Sequence, residues 1–129
     1  MAEKGAIGNK TPWGPLGEVI YLRTYSRFDE ERKRREFWPE TVDRVVEYSL
    51  SLAPSPHKEE ATILSEAMLG LKGFPAGRTL WIGGSNHAKE FPIANYNCSF
   101  LDFKEAKDAY EAVILLMSGS GVGFRVTQD

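Results

Sequence analysis

From residue 13 to residue 71 the apolar positions recur at helical spacing, and beyond residue 74 that period is lost. Leu16, Val19 and Ile20 follow the turn Trp13-Gly14-Pro15 at i, i+3 and i+4, which predicts a first helix from about Pro15 to Tyr25. Trp38, Val42, Val45, Val46 and Leu52 form a longer stripe. Pro39 suits the first turn of that helix, and Ala53-Pro54-Ser55-Pro56 stops it. A third helix begins at His57 or Lys58 and turns Ala61, Leu64, Met68 and Leu71 inward, with Gly73 as its exit. These helices are expected to form one layer around Trp38, Val42, Val46, Leu64 and Met68.

The second half of the chain reads differently. Arg78 to Ile82 is rich in strand formers and ends at Gly83-Gly84, so it predicts a short strand; Ala94 to Leu101 predicts another. Between residues 105 and 118, Ala109, Ala112, Val113, Leu116 and Met117 keep a helical period, while Ile114 and Leu115 make the last turns apolar all round. That end of the helix is expected to be buried. Val122 to Val126 is a final strand. Strands this few and short do not close a sheet, so the chain is expected to be part of a larger α+β fold. Its organisation is a flexible lead-in at 1–12, a helical region at 13–73 and the opening of a further unit at 74–129.

Charge narrows the picture. The run at residues 29–36, Asp-Glu-Glu-Arg-Lys-Arg-Arg-Glu, invites a phosphate-binding reading, but Glu30 to Arg34 and Glu31 to Arg35 are i,i+4 pairs with the acid leading. It is read as a solvated helix-like or loop segment whose charges pair among themselves. With 16 basic and 18 acidic residues and a net charge of -2, nothing draws in nucleic acid or an anionic membrane. No apolar run approaches the ~18 residues a membrane helix needs, and Met1 to Gly5 lacks a secretion-signal pattern, so a cytoplasmic location is expected. One cysteine and two distant histidines, His57 and His87, give no metal-ligand spacing.

The chemistry therefore converges on Cys98, in Asn95-Tyr96-Asn97-Cys98-Ser99-Phe100, and on the turn Gly119-Ser120-Gly121-Val122-Gly123-Phe124. A lone cysteine is either a small buried hydrophobe or a redox group. The glycine turn follows a helix and precedes a strand, the reverse of a dinucleotide fingerprint, and lacks the Lys-Ser/Thr end of a Walker loop. Its glycines imply that another strand or a ligand packs directly on the backbone.

Five runs in order carry a resemblance: Trp13-Gly14-Pro15-Leu16-Gly17, Arg23-Thr24-Tyr25-Ser26-Arg27, Gly77-Arg78-Thr79-Leu80-Trp81-Ile82-Gly83-Gly84, Asn97-Cys98-Ser99-Phe100 and Gly119 to Phe124. Nearly everything after residue 12 resembles the N-terminal part of adenosylcobalamin-dependent (class II) ribonucleotide reductases, closest to the monomeric ribonucleoside-triphosphate reductase type. The resemblance implies a helical region leading into the first strands and helix of a ten-stranded α/β barrel. It implies thiyl-radical reduction of ribonucleotides to 2'-deoxyribonucleotides, with adenosylcobalamin as cofactor of the complete enzyme and a thioredoxin-type reductant. Cys98 matches the first of two cysteines oxidised to a disulfide during turnover. Thr79 and the Gly83-Gly84-Ser85 turn match the segment beside the substrate's ribose and phosphates. Asn97 matches a polar residue next to that cysteine, and Gly119 and Gly121, in the Gly119 to Phe124 turn, match a barrel strand that the resemblance places close to the active site. The thiyl cysteine and the disulfide partner are absent, since there is no second cysteine. A complementary C-terminal reductase portion, separately encoded or removed, is thus expected, and the segment alone is expected to be inactive and to bind no cofactor. The competing reading is a non-catalytic phosphate-ligand or protein-interaction module with a buried spectator cysteine.

Overall fold

A computed structural model describes residues 12–127, and the expected lead-in lies almost wholly outside them. The chain divides into two units, one ending at Trp81 and one beginning at Ile82.

In the first unit, α1 spans Pro15–Thr24, with proline in its first turn, Glu18 near its start and Arg23 in its last turn, as a helix dipole favours. Its buried residue is Tyr21, whereas Leu16, Val19 and Ile20, expected inward, are exposed. The reason is Trp13, which folds back over Gly17: a Cβ there would stand 2.6 Å from the Trp13 ring. Gly17 and Tyr21 lie one turn apart and so face the same way, leaving Leu16, Val19 and Ile20 on other sides. Trp13, Tyr21 and Trp38 then meet with ring centroids 4.7–5.8 Å apart.

Of the two forms expected for the charged run, helix-like or loop, the structure takes the second, as a hairpin. Phe28–Asp29 (β1) pairs antiparallel with Arg34–Arg35 (β2). Asp29 Oδ1 accepts the amides of Glu31 and Arg32 at 2.9 and 3.0 Å, capturing them before a helical turn could, and Lys33 adopts φ 53° to close the loop. The expected i,i+4 pairs are replaced by Lys33 with Glu30 and by Arg34 with Glu40.

Helix α2, Trp38–Ser51, buries Trp38, Thr41, Val42, Val45, Val46 and Tyr48. Leu52, expected on this stripe, caps the helix and is exposed. Glu40 accepts the Phe37 amide at 2.7 Å, satisfying one of the helix's open donors. The Arg34 guanidinium, with help from that amide and against the cost of burial, lowers the Glu40 pKa to about 2. Helix α3, Lys58–Leu69, packs against α2 through Met68 and the half-buried Ala61, while Leu64 and Leu71 are exposed. Its exit is not at Gly73. Gly70 caps the helix and Leu71 takes the left-handed turn at φ 55°, with the Lys72 amide returning to the Ala67 carbonyl at 2.8 Å.

Beneath these helices lies a polar centre. The Glu36 carboxylate accepts Arg44 Nε and Nη2 at 2.7 and 2.9 Å, the Thr41 hydroxyl at 2.9 Å and the Arg27 amide at 3.2 Å. The Glu36 carbonyl accepts the Ser26 and Tyr21 hydroxyls at 2.8 and 3.1 Å. Burial raises the Tyr21 phenol above its usual pKa, against the hydroxyl contact with Thr41. The segment expected as a strand, 78–82, is instead a short helix, α4, Gly77–Ile82. Strand formers lose here to tertiary contact, because side chains from this polar centre bond its carbonyls.

In the second unit, Ser85 caps α5, Asn86–Glu90, and a 3-10 turn at Pro92–Asn95 takes the first two residues, Ala94 and Asn95, of the stretch expected as a strand, which begins only at Cys98. The strand β3 is Cys98–Phe103, α6 is Ala106–Met117 and β4 is Gly121–Val126. β3 and β4 are parallel, in register from Cys98 with Gly121 to Phe103 with Val126, and α6 packs against both. Ala112 is the buried residue of α6, while Ile114, Leu116 and Met117 are exposed, contrary to the expected burial. A two-stranded sheet covers only one face of a helix, so apolar residues on the other sides remain uncovered.

Met68→Ala should cost about 2–5 kcal/mol in denaturant unfolding, because the side chain is fully enclosed, whereas Leu64→Ala should cost under about 1 kcal/mol. Glu40 has a depressed pKa, so its contribution is present above the ordinary value of 4.5 and lost as pH falls toward about 2. Glu40→Gln should remove that part of the acid dependence, leaving a flatter stability curve between these pH values in thermal melts.

Candidate functional site

The start of the parallel pair gathers four of the expected site residues. Asn97 precedes β3, Cys98 opens it, and Gly119 and Gly121 lie where α6 turns into β4. The Gly121 amide donates to the Asn97 carbonyl at 2.9 Å, and a Cβ on Gly121 would stand 2.8 Å from that oxygen. Glycine at 121 is thus what lets the two strands begin this close together. Gly119 adopts φ 93°, a left-handed value that ends α6. Its amide and that of Ser120 donate to the Leu116 and Leu115 carbonyls at 3.0 Å. The three amides of the turn are therefore engaged by the backbone, and a ligand meeting Gly119 or Gly121 would touch bare Cα atoms.

Cys98 is exposed and free. It shares a sheet face with Phe100 and Asp102, and their register partners are Gly121, Gly123 and Arg125. The face is layered: a thiol beside a bare glycine, an aromatic ring beside a second glycine, then an ion pair. Arg125 Nη2 reaches Asp102 Oδ2 at 3.1 Å and its Nε bonds the other carboxylate oxygen. This guanidinium holds the Asp102 carboxyl below its usual pKa. On the opposite face the Phe103 and Phe124 rings stack at 4.6 Å.

Ser99 and Ser120 join this group without having been expected. Ser99 Oγ donates to the Gly121 carbonyl at 3.1 Å, and the buried Ser120 hydroxyl lies 3.5 Å from Ser99 Oγ. The signal available in sequence was a small hydroxyl residue beside each key position, which many ordinary loops also carry.

The remaining site residues fall elsewhere. Gly83, Gly84 and Ser85 form their own turn, with Gly84 at φ 78°, the Ser85 amide bonded to the Ile82 carbonyl at 2.9 Å and Ser85 Oγ accepting the Ala88 amide at 3.2 Å. Thr79 is half-buried on α4, in the first unit.

The ribonucleotide reductase alpha domain model matches residues 4–85, more than half of the chain. The chain belongs to the ribonucleotide reductase family. Relatives of this reductase segment include the adenosylcobalamin-dependent ribonucleoside-triphosphate reductase of Lacticaseibacillus paracasei, 36% identical over 93% of this chain and 20% of that protein. A putative adenosylcobalamin-dependent ribonucleoside-triphosphate reductase of Mycobacterium phage D29 is 41% identical over 87% of this chain and 16% of that protein. The fold is similar to the crystal structure of a B-12 dependent (class II) ribonucleotide reductase, with a TM-score of 0.71, 34% identity and coverage of 89% of this chain and 20% of that one. The reductase segment thus spans about one fifth of the length of the Lacticaseibacillus relative. No described helix is long and apolar enough to cross a membrane.

Gly121→Ala should destabilise the chain by about 1–3 kcal/mol, since the added methyl meets a backbone oxygen that cannot step aside. Gly123→Ala should be milder, because its nearest neighbour at 3.4 Å is the Phe100 ring. Paired denaturant titrations of the two variants check this order.

Proposed function

We propose that this chain is a working segment of an adenosylcobalamin-dependent ribonucleotide reductase. It supplies one reducing thiol and part of the nucleotide surface and acts together with a complementary reductase portion. The observation that carries the reading is Cys98: an exposed thiol on the first residue of a parallel strand, beside a glycine that leaves its flank open, in a chain of this family. The exposure of Cys98 supports this reading over a buried spectator cysteine.

The chemistry asks for a thiol that can approach a second sulfur to about 2 Å from a rigid element. A strand held in register by six residue pairs provides that rigidity. In the proposed step the ribose 2'-carbon exchanges its bond to hydroxyl for one to hydrogen, and the hydroxyl leaves as water. Cys98 and a second thiol from the complementary portion give up two electrons and two protons and close a disulfide. A thioredoxin-type dithiol then restores both thiols by exchange. Adenosylcobalamin, when bound, supplies the radical that starts the reaction. The described residues hold no group of three or more His, Cys, Asp or Glu side chains that could bind a metal ion, and none is assigned to this cofactor.

The nucleotide surface in this proposal comprises Thr79, Gly83, Gly84, Ser85, Asn97, Gly119 and Gly121. The sheet supports the need for further strands: parallel sheets are normally covered on both faces, and β3 and β4 form a two-stranded sheet with α6 on one side. Completion as a ten-stranded α/β barrel would cover the exposed apolar residues of α6 and β4.

Cys98→Ser in the assembled reductase should abolish multiple turnovers with a dithiol reductant and leave the fold intact, because serine keeps the volume and removes the redox sulfur. Steady-state product formation decides it: turnover at the unmodified rate would sink the catalytic assignment.

A further inference from the structure

Two stretches singled out in the sequence, Arg23 to Arg27 and Gly77 to Trp81, meet in the first unit. Helix α4 has six residues, too few to be stable alone, and the carbonyls of its last turn have no partner within the helix. Side chains from outside act at both of its ends. At the start, Gly77 lies against the Tyr25 ring: a Cβ there would stand in ordinary contact, 3.5 Å from the hydroxyl. Near the end, Arg27 Nη1 donates to the Trp81 carbonyl and Arg44 Nη2 to the Leu80 carbonyl, each at 3.2 Å. Two guanidiniums on adjacent carbonyls repel each other, and the Glu36 charge offsets this: its carboxylate binds the Arg44 guanidinium through both oxygens and anchors Arg27 by its backbone amide. Positive charge at a helix C-terminus is also the favourable sign.

We infer that Tyr25, Arg27 and Arg44 are positioning residues, a cradle that fixes α4 and thereby the placement of Thr79 toward the nucleotide. The role rests on the reading of Thr79 given above and deepens it: the Tyr25 to Arg27 run never touches substrate but sets where a substrate-contacting helix stands. Of the three, Arg27 is the one to remove. Its loss leaves Glu36 still paired with Arg44, so no buried carboxylate is orphaned.

Arg27→Met should let the Leu80 to Ile82 amides exchange about tenfold faster relative to those of Val45 and Val46 in α2, with Arg27→Lys falling in between. In the assembled reductase the same Arg27→Met change should raise KM for the ribonucleotide about fivefold with little change in kcat, as loss of a positioned binding contact does. Equal acceleration of α2 and α4 amides, or none in either, overturns the cradle, since the first is general destabilisation and the second shows that α4 does not need Arg27. Thr79→Ala with an unaltered KM overturns the substrate contact on which the role rests, whatever the exchange result. The two failures are therefore separately visible.

Discussion

The first unit depends on one partly buried ion pair. Glu36 and Arg44 are 14% and 15% exposed, and charges so enclosed are tolerated only when fully bonded. Here the carboxylate has four donors and the guanidinium has both Glu36 and the Leu80 carbonyl. Removing one partner leaves the other charged and largely shielded from water, which is destabilising. The hydrophobic cluster around Trp38, Val42, Val45 and Met68 supplies non-directional stability, but it does not dictate where the hairpin or α4 must lie. Directional bonds from Glu36 and Arg44 do that. Through them the C-terminal end of α1, the hairpin, α2 and α4 become one cooperative arrangement.

The second unit is governed by backbone approach. Gly121 allows β4 to start against the Asn97 carbonyl, and this contact sets the register that places Cys98 opposite a residue without a side chain. A shift of one residue would turn every side chain of β4 to the other face, moving Val122 beside the thiol and Gly121 away from it. Register and the open flank of the Cys98 thiol are thus the same constraint. The unit also leaves much apolar surface open, including Ile114, Met117, Phe124 and Val126. Exposed apolar residues in this number agree with a reductase segment spanning about a fifth of the length of the Lacticaseibacillus relative.

Read together, these features give the family assignment a physical form. The chain carries a thiol, a rigid strand to hold it, and a helical unit that anchors a short helix bearing Thr79. What it lacks in sequence, a second cysteine, is what the proposed reaction must draw from elsewhere.

Much of this was legible in the sequence. Periodicity located α1, α2, α3, α6 and β4 to within a few residues, because apolar spacing reports local geometry directly. The ordered motifs also pointed to the reductase family, since glycines and an isolated cysteine in fixed order are constrained by chemistry more than by packing. Tertiary structure alone decided the rest. Arg78 to Ile82 has strand propensity yet is helical, because Arg27 and Arg44 bond carbonyls whose partners lie 54 and 36 residues away in sequence. The charged run has helical pairing yet forms a hairpin, because Asp29 takes the next amides and Glu40 draws Arg34 across. Leu16, Val19 and Ile20 have helical period but the wrong side, since Trp13 selects the Tyr21 face. In each case the sequence determined which residues prefer which local shape, and long-range polar or aromatic contacts, invisible to local spacing, chose among those shapes.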